Sequence, residues 1–420
     1  MKPASCLAVL AAILFQSCSD EAHAMQSKVV ESERQRSPSP SVSDADLVAL
    51  VRGSSDFAFE LYRQRRRSGE NLFFSPFSIS MAMAMIWAGA RAETADEIEK
   101  AMRFRLPQKQ LHRALSHLDH ALAARAKAGK RGRFQLHLAN AIWGQEGLEL
   151  VDAYLNTLAD NYGAGVRLLD FGSKPEAARI FINEWIEKQT RKRIRDLLPK
   201  GSIHDLTRLV LTNAIYFKAS WASQFEKLVT RDGAFTLADG KRVRVPMMSQ
   251  ETHIPVAKNE DYAIAELPYE GDEIAMVLLL PPAGSLRHIE DSLSAAHLEE
   301  LLSGISPREV RITMPRFRIS SRMNLKGLLQ AMGMQHAFSD VADFSGMSPK
   351  GGLEITDILH QAVVNVDETG TEAAAATAVA VGITAVVEAV ELTLDRPFVF
   401  LIRDRKTGAI LFAGRVVDPR

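Results

Sequence analysis

Residues 366–387 read VDETGTEAAAATAVAVGITAVV, a stretch that matches neither a regular helix nor a regular strand. Its four consecutive alanines favour a helix, because alanine is the best helix former. After Ala376 the stretch becomes β-branched, and it carries neither amphipathic spacing nor helix caps. Its small side chains also fit poorly on a pleated strand. This mixture is typical of a loop that can become a strand.

The chain on either side of this stretch has the patterning of mixed helix and strand. Apolar spacing predicts helices at residues 44–67, 78–90 and 175–192, the second of them buried and rich in Met and Ala. Because the elements do not alternate regularly, we predict an α+β fold rather than a Rossmann or barrel architecture. β-branched and aromatic runs, most of them bounded by Gly or Pro, predict strands at 209–217, 263–267, 274–280, 310–314, 398–403 and 410–417.

Composition excludes several classes of protein. The 420 residues include 51 Lys or Arg and 51 Asp or Glu, so the formal net charge is zero. A neutral balance argues against a nucleic-acid-binding protein, which usually carries a basic excess. Apolar residues make up 46%, which argues against a disordered chain. The only cysteines are Cys6 and Cys18, which excludes a disulfide framework or a Cys-based zinc site in the body.

The N-terminus has the features of an export signal. Lys2 precedes an apolar run at residues 7–15, which is too short for a bilayer span of about 20 residues and suits a signal peptide. Residues 22–24 (AHA) fit ordinary cleavage, whereas residues 14–18 (LFQSC) resemble a bacterial lipoprotein box. Both alternatives predict an exported protein, extracellular or periplasmic. Membrane attachment is expected only through a lipid on Cys18.

The domain organisation follows from where globular patterning begins. Residues 1–24 would be the signal peptide. Residues 25–43 are polar and rich in Ser and Pro, and we predict a flexible tether there. Residues 44–420 show no second linker and no internal repeat, so a single domain is expected. Its length is ample for a hydrophobic core without disulfides.

No catalytic signature occurs along the chain. The sequence lacks a Gly-x-Ser-x-Gly elbow, a His-Glu-x-x-His helix and a phosphate-binding loop. His112, His117 and His120 cluster in one polar helical segment, which we interpret as a solvated face rather than a metal site. We therefore predict no metal, no cofactor and no enzymatic activity, although missing motifs do not exclude an enzyme.

A series of ordered motifs across the whole body resembles the serpin family. The resemblance implies an α+β serpin fold, with several sheets, surrounding helices and an exposed reactive loop. It also implies a monomer that needs no cofactor. The motifs are residues 71–79 (NLFFSPFSI), 211–218 (LTNAIYFK), 245–248, 332–334, 342–345, 363–376, 396–400 and 414–416.

The function implied by this resemblance is suicide inhibition of proteases. The loop is offered as a substrate, the target protease forms an acyl-enzyme at one bond, and the cut loop inserts into the main sheet as a new strand. The partner is then a protease held in a covalent complex. The alternative is a non-inhibitory serpin, acting as a chaperone, a carrier or a plain protease substrate.

The residues of the hinge are compatible with insertion. Side chains of a strand alternate between its faces, so Thr371, Ala373, Ala375 and Thr377 would share one face, and all are small. Gly370 can adopt backbone angles closed to other residues. About 14 new paired residues, at about 1 kcal/mol per hydrogen bond, give a driving force on the order of 10 kcal/mol. The resemblance assigns the hinge to Glu368, Thr369, Gly370, Thr371, Glu372, Ala373, Ala374, Ala375 and Ala376.

Two further groups of residues carry over from the family. Each residue of the first group is equally interpretable as a satisfied buried hydrogen-bonding group, Trp221 as a plain core aromatic, and the pair of Glu368 and Arg316 should contribute modestly if exposed. The cluster that controls opening of the sheet matches Ser75, Ser78, Asn213 and His360. The breach, where the sheet opens first, matches Trp221, Arg316 and Glu368.

Two positions depart from the family pattern. Thr369 stands where a charged residue is common, and residues 190–194 lack the glycine usual after the helix at 175–192. Neither departure obviously prevents insertion.

Two counts place the reactive bond differently. Counting from the hinge gives Thr384–Ala385, whereas counting back from the C-terminal motif gives Val386–Val387. We prefer the count from the hinge, because insertion into the sheet fixes the number of residues between the hinge and the reactive bond. All four residues are uncharged, and no Lys or Arg occurs between 370 and 390. A trypsin-like target with an acidic pocket is therefore disfavoured, and an elastase- or subtilisin-like protease is predicted.

A basic stretch lies where some serpins bind a polyanion. The alternative is a solvated loop. The stretch comprises Arg125, Lys127, Lys130, Arg131 and Arg133.

Overall fold

Helices surround two β-sheets in the computed structural model, which describes residues 25–66, 69–127, 134–371 and 389–420. The α-helices in these ranges are α1 (Asp44–Arg65), α2 (Pro76–Trp87), α3 (Ala92–Ala101), α4 (Gln108–Lys127), α5 (Asp152–Tyr162), α6 (Pro175–Gln189), α7 (Leu286–Ser292), α8 (Ala295–Ser303) and α9 (Lys326–Ala331). Short 3₁₀ turns occupy Lys227–Val229 and His336–Phe338.

The strands follow one another between these helices. They are β1 (Lys28–Val30), β2 (Leu72–Phe74), β3 (Phe134–Gln145), β4 (Val166–Leu169), β5 (Leu209–Ser220), β6 (Arg231–Thr236), β7 (Arg242–Lys258), β8 (Ala263–Pro268), β9 (Ile274–Leu280), β10 (Ser306–Pro315), β11 (Phe317–Asn324), β12 (Ile355–Asp367), β13 (Gly370–Thr371), β14 (Val390–Thr393), β15 (Phe398–Asp404) and β16 (Ile410–Val416).

The main sheet has the strand order β1-β4-β3-β5-β13-β12-β11. Strands β5 and β12 run parallel and pair directly, from Ile355 opposite Leu209 to Val363 opposite Tyr216. We call the line between them the seam. Above the paired region, β13 lies between the two strands and pairs antiparallel with both. The top of the seam is thus already open by the width of one short strand.

The second sheet has the order β14-β10-β7-β8-β9-β15-β16-β2, with β6 paired to β7. Every residue of β9 and of β16 is buried, which explains their nearly continuous apolar sequence. By contrast, β11 in the main sheet alternates buried and exposed residues along its length. Strand β11 therefore presents one side to the core and the other to solvent.

Helix α6 crosses the solvent side of the main sheet and lies over the seam. Its Ile182 and Ile186 share a buried cluster with Ala214 of β5 and Val363 of β12. Any strand that entered the whole seam would have to displace part of this cluster.

The fold class predicted from the sequence is confirmed: the chain is α+β. The predicted helices and strands are all present, with ends that shift by a few residues. Helix α2 begins at Pro76 because Ser75 accepts a hydrogen bond from the Ser78 amide and caps it. Among the described residues, no helix is both long and apolar enough to cross a membrane.

The structure corrects the flexible tether expected at residues 25–43. Strand β1 pairs antiparallel with β4, with Val30 opposite Val166. The stretch that follows is fastened to α4 and α5: Arg36 lies 2.7 Å from Asp119, and the Ser37 amide donates to the Asp160 carbonyl at 3.0 Å. A polar composition did not reveal that an edge strand and two helices offer acceptors for this segment.

Candidate functional site

The hinge enters the main sheet at its top. Gly370 pairs with Ser220 of β5, and Thr371 pairs with Ala219 of β5 and Val366 of β12. The φ angle of Gly370 is +148°, and a Cβ atom there would lie 2.1 Å from the Ala219 carbonyl oxygen. Only glycine fits at this position, both for its backbone angle and for this close approach.

A buried aromatic pair receives the first inserted side chain. The hydroxyls of Thr371 and Tyr269 are 2.7 Å apart. The Tyr269 ring stacks on Trp221, with centroids 4.5 Å apart, and the indole of Trp221 donates to the Asp367 carbonyl at 2.9 Å. Burial raises the pKa of Tyr269, which keeps it a neutral partner. The sequence analysis missed Tyr269, since no motif it used includes the end of β8.

Glu368 and Arg316 lie together beside the hinge. The Glu368 side chain is 1% exposed and accepts from Arg316 Nε at 2.6 Å and from the Thr230 hydroxyl at 2.5 Å. Burial opposes ionisation of Glu368, but these two hydrogen bonds outweigh it and hold its pKa below the usual range. Arg316 is 42% exposed, so solvent screens the pair from one side.

Thr369 is accommodated by a local turn. Its hydroxyl donates to the Asp367 carboxylate at 2.6 Å, and its amide donates to the same oxygen at 2.9 Å. A short polar side chain thus closes the turn where a charged residue was expected.

Four buried polar residues connect the two sides of the seam. His360 of β12 and Asn213 of β5 are opposite one another, and the His360 Nδ1–H donates to the Asn213 side-chain oxygen at 2.5 Å. The Ser75 amide donates to His360 Nε2 at 3.2 Å, and the Asn213 amide group donates to the Ser78 hydroxyl at 2.7 Å. Burial lowers the pKa of His360 to about 3, so the ring is neutral at pH 7. Asn140 of β3, which the sequence analysis missed, accepts from Asn213 at 2.6 Å.

The segment after α6 has an unusual backbone. Arg191, Lys192 and Asp196 have φ angles of 50°, 65° and 50°. Non-glycine residues in this left-handed region cost about 1–2 kcal/mol each. The glycine that the sequence lacks after this helix therefore has a structural consequence, since arginine and lysine occupy glycine-like conformations.

The predicted polyanion site is corrected at its first residue. Arg125 makes a two-pronged ion pair with the fully buried Asp404, at 2.6 and 3.1 Å, and is itself only 13% exposed. Its guanidinium is therefore not available on the surface. Lys127 is exposed. Lys130, Arg131 and Arg133 lie outside the described residues.

The histidine cluster is also corrected in part. His112 is buried rather than solvated, and its Nδ1 lies 2.7 Å from the Tyr162 hydroxyl. Burial lowers its pKa to about 4. Within the described ranges, no group of three His, Cys, Asp or Glu residues is placed to hold a metal ion.

The remaining loop predictions lie outside the described residues. They comprise the later hinge residues Glu372, Ala373, Ala374, Ala375 and Ala376 and the reactive-bond candidates Thr384, Ala385, Val386 and Val387.

Comparison with known proteins identifies the family. A family model described as Serpin (serine protease inhibitor) matches residues 52–419. This chain belongs to the serpin family. An uncharacterised serpin-like protein of Thermococcus kodakarensis is 39% identical to this serpin over 374 residues, covering 88% of this chain and 86% of the relative. The bovine leukocyte elastase inhibitor is 37% identical and covers 88% of this serpin and 99% of itself.

Solved structures agree with the family assignment. The thermophilic serpin tengpin, in its native state, has a TM-score of 0.82 at 27% identity, covering 94% of this serpin and 100% of tengpin. Human thyroxine-binding globulin with its bound hormone has a TM-score of 0.80 at 31% identity, covering 89% of this serpin and 99% of the globulin.

Family membership corrects the flat prediction of a protein without enzymatic activity, which rested on missing motifs alone. The family is one of serine protease inhibitors. An inhibitor of this type takes part in a protease's own chemistry without turnover, so absent catalytic motifs were the wrong criterion. The match shows membership of the serpin family and no catalytic role.

Proposed function

We propose that this serpin inhibits serine-type proteases as a monomeric suicide substrate, through acyl-enzyme formation and insertion of the cut loop. The observation that carries the proposal is the position of β13. Its two residues already lie between β5 and β12, and after Glu372 the chain continues with four alanines at 373–376. The entry point for a new strand is therefore formed before any cleavage.

The register of β13 defines what an inserted loop would meet. Thr371 is opposite Ala219 of β5 and opposite Val366 of β12. Continuing both antiparallel ladders by six residues brings Thr377 between Asn213 and His360, and the two ladders agree on this position. Insertion must then break the His360–Asn213 hydrogen bond. The hydroxyl of Thr377 can donate and accept, so it can satisfy both partners again.

The same register supports the hinge count for the reactive bond. Gly370 is opposite Ser220, the last residue of β5. Continuing the ladder, Val381 would be opposite Leu209, the first residue of β5. A cut at Thr384–Ala385 supplies enough chain to fill the whole strand position with three residues to spare.

The non-inhibitory alternative has its own support, since one structural neighbour is a thyroxine-binding globulin. The hinge composition favours inhibition: residues 373–376 are all alanine, and no proline occurs between 368 and 390 to remove a ladder donor. An uncharged reactive bond points to an elastase- or subtilisin-like target. The bovine relative named as a leukocyte elastase inhibitor is consistent with this class.

We further propose export, with either cleavage after residues 22–24 or lipidation of Cys18. Strand β1 begins at Lys28, ten residues after Cys18, so a lipid would hold the body within roughly 35 Å of the membrane. The mass of the purified N-terminal peptide separates the two: a diacylated Cys18 shows a large mass excess, and a free N-terminus near residue 25 shows ordinary cleavage.

The decisive experiment is incubation of the serpin with neutrophil elastase, subtilisin and trypsin in turn. With neutrophil elastase or subtilisin, we expect a band on a denaturing gel at the summed mass of the serpin and the protease. The released peptide should have the mass of residues 385–420, or of 387–420 if the second count is correct. Loop cleavage without any covalent band across the panel would contradict the proposed inhibition.

A pair of variants tests insertion itself. Thr377→Arg would place a charge between Asn213 and His360, and we expect cleavage without a covalent band. Ala389→Arg adds the same charge beyond the reactive bond, in a part of the loop that does not insert, and should still form the complex. Equal behaviour of the two variants would argue against the derived register.

A further inference from the structure

A cavity of about 480 Å³ lies beside the second sheet, where α1 ends. Its wall is built from the end of α1, the turn after β6, the start of α7, the link between β14 and β15 and the end of β16. Among the described residues that line it, none belongs to the seam or to β13. Its volume is within the range of about 300–1,000 Å³ that is typical of small-molecule sites. We call it the α1 cavity.

Much of the wall of the α1 cavity is apolar. Leu237 and Leu286 are half-buried, so part of each side chain is open to the cavity or to solvent. Removing apolar surface of this kind from water is favourable in proportion to the area covered. The wall therefore suits the apolar body of a ligand. Its other apolar members include Pro282, Pro397 and Val417.

Arg415 is a structural member of the wall. It is 4% exposed and donates to Glu290 at 2.9 Å, to the Arg66 carbonyl at 2.6 Å and to the Glu70 carbonyl at 2.9 Å. Carbonyl groups at the end of a helix have no partner within the helix, so Arg415 completes the end of α1. The Tyr62 hydroxyl donates to the same Glu290 oxygen at 2.7 Å. All three nitrogens of Arg415 are thus engaged within the protein.

Arg66 also lines the cavity, but its guanidinium is only partly satisfied. Its side chain is 9% exposed, and its Nη2 pairs with Asp291. Its Nη1 lies 3.8 Å from Glu290 Oε2, which is beyond hydrogen-bond distance, and it has no acceptor in the part of the chain that the structure describes. Buried donors without a partner are rare in folded proteins. Such a donor on the wall of a cavity indicates an acceptor that a ligand would supply.

The charges around the α1 cavity leave a positive excess. Four arginines line it, whereas only three carboxylates belong to the wall or pair with these arginines. One negative charge would therefore balance the group. The arginines are Arg66, Arg287, Arg396 and Arg415, and the carboxylates are Glu290, Asp291 and Asp395.

We propose that the α1 cavity binds an amphipathic organic acid, whose single carboxylate or sulfonate accepts a hydrogen bond from Arg66 and whose apolar body packs on Leu237 and Leu286. An amine with the same body would add to the positive excess. A sugar would leave the apolar wall without a partner. An alkyl chain and an aromatic ring system both satisfy the wall, and the first test separates them. The proposal does not rest on protease inhibition, because the cavity shares no lining residue with the seam or with β13.

The first test measures binding of anilinonaphthalene sulfonate, a fluorescent aromatic acid, to the folded and uncleaved serpin. We expect saturable binding at one site per chain and displacement of the dye by dodecanoate. Dodecyltrimethylammonium, which has the same alkyl chain and the opposite charge, should displace the dye about tenfold less effectively, since it cannot accept from Arg66. Binding of the dye without displacement by dodecanoate would support the site and select aromatic acids. No saturable binding of the dye or of dodecanoate, or equal displacement by the two alkyl compounds, would overturn the proposal.

The second test removes the unpaired donor. Arg66→Met keeps an apolar stem, and we expect the affinity for the dye to fall about tenfold, the loss of one hydrogen bond to a charged group. Arg179→Met is the matched control, because Arg179 is 14% exposed and pairs with Glu176 at 2.8 Å outside the cavity. It should change the affinity less than about twofold. Equal losses in the two variants would overturn the proposal.

A further pair of variants decides the question if Arg66→Met does not fold, which its thermal unfolding will show. Leu286→Asp places a carboxylate in the wall at the first residue of α7, where a helix tolerates negative charge. We expect it to weaken dye binding about tenfold, through repulsion of the acidic head and loss of an apolar contact. His288→Asp adds the same charge to the same helix at an exposed position outside the lining, and should weaken binding much less. Equal losses in this pair would show that the charge of the helix, and not the cavity, governs binding, and would overturn the proposal.

Discussion

The seam of the main sheet and the centre of the second sheet are stabilised in different ways. At the seam, β5 and β12 are joined through buried polar groups, of which the His360–Asn213 bond is the most direct. In the second sheet, β9, β15 and β16 are buried along nearly their whole length and pack through aromatic rings, such as Phe73 on Phe412 at 4.9 Å. Polar contacts can be exchanged for equivalent ones, whereas an apolar core cannot be opened without a cavity. We therefore expect the molecule to open at the seam rather than at the centre of the second sheet.

The largest effect is expected in the second sheet. Phe412→Ala removes a fully buried ring that also packs 5.7 Å from Phe217 of β5. Such truncations cost about 3–5 kcal/mol because a cavity remains. Chemical denaturation should show this loss in uncleaved and loop-cleaved serpin alike, with Phe412→Leu losing less. A loss of stability confined to the uncleaved serpin would contradict the expectation that the second sheet is stabilised in the same way in both forms.

Acid should weaken the seam through His360. Its pKa is lowered to about 3 in the fold, against an ordinary value of 6.5. The unfolded chain therefore binds a proton that the folded chain rejects, and stability falls as pH drops from about 6.5 toward 3, by about 1.4 kcal/mol per pH unit for this group. Denaturation curves across this range should show the slope.

Two variants separate the seam from the rest of the molecule in that experiment. His360→Gln should remove the part of the pH dependence of stability that comes from the seam. His112→Gln should remove a second slope that ends nearer pH 4, where the pKa of the buried His112 lies. A pH dependence unaltered by either substitution would mean that other groups govern acid unfolding.

A smaller loss is expected from the amide that bridges the seam. Asn213→Ala leaves the buried His360 Nδ1–H without its acceptor, at a cost of about 1–3 kcal/mol. We also expect faster loss of inhibitory activity on incubation, because the two strands part more easily. Thr157→Ala, on the surface of α5, is the control and should leave both quantities unchanged. Slower loss of activity in the Asn213 variant would show that the bond does not restrain the seam.

The smallest effect concerns the segment above the seam, and it has the opposite sign. Lys192→Gly relieves a left-handed backbone at φ 65° and should stabilise the uncleaved serpin by about 1 kcal/mol. Lys188→Gly, inside α6, should destabilise it by a similar amount, since glycine is a poor helix former. Thermal unfolding of both variants measures the contrast. Destabilisation by both would mean that the segment carries no strain that glycine relieves.

The elements of the fold could be predicted because their signals are local. The apolar runs of β9 and of α2 needed only their neighbours in sequence, although the start of α2 at Pro76 came from the structure. The hinge glycine was predicted in the same way, although the reason that no other residue fits, its contact with Ala219, lies 151 residues away. Errors arose where a side chain found a distant partner. Arg125 looked like a surface cation until Asp404, 279 residues later, paired with it.

The sequence by itself determined the family and the α+β class, and it predicted an alanine-rich hinge and an uncharged reactive bond, because these depend on residue type and order. Only the tertiary structure decided that β1 extends the main sheet, that His112 is buried and that Arg125 is occupied. Each of these depends on which strands and helices become neighbours. No local sequence pattern encodes the charge or hydrogen-bonding group that a neighbouring element supplies.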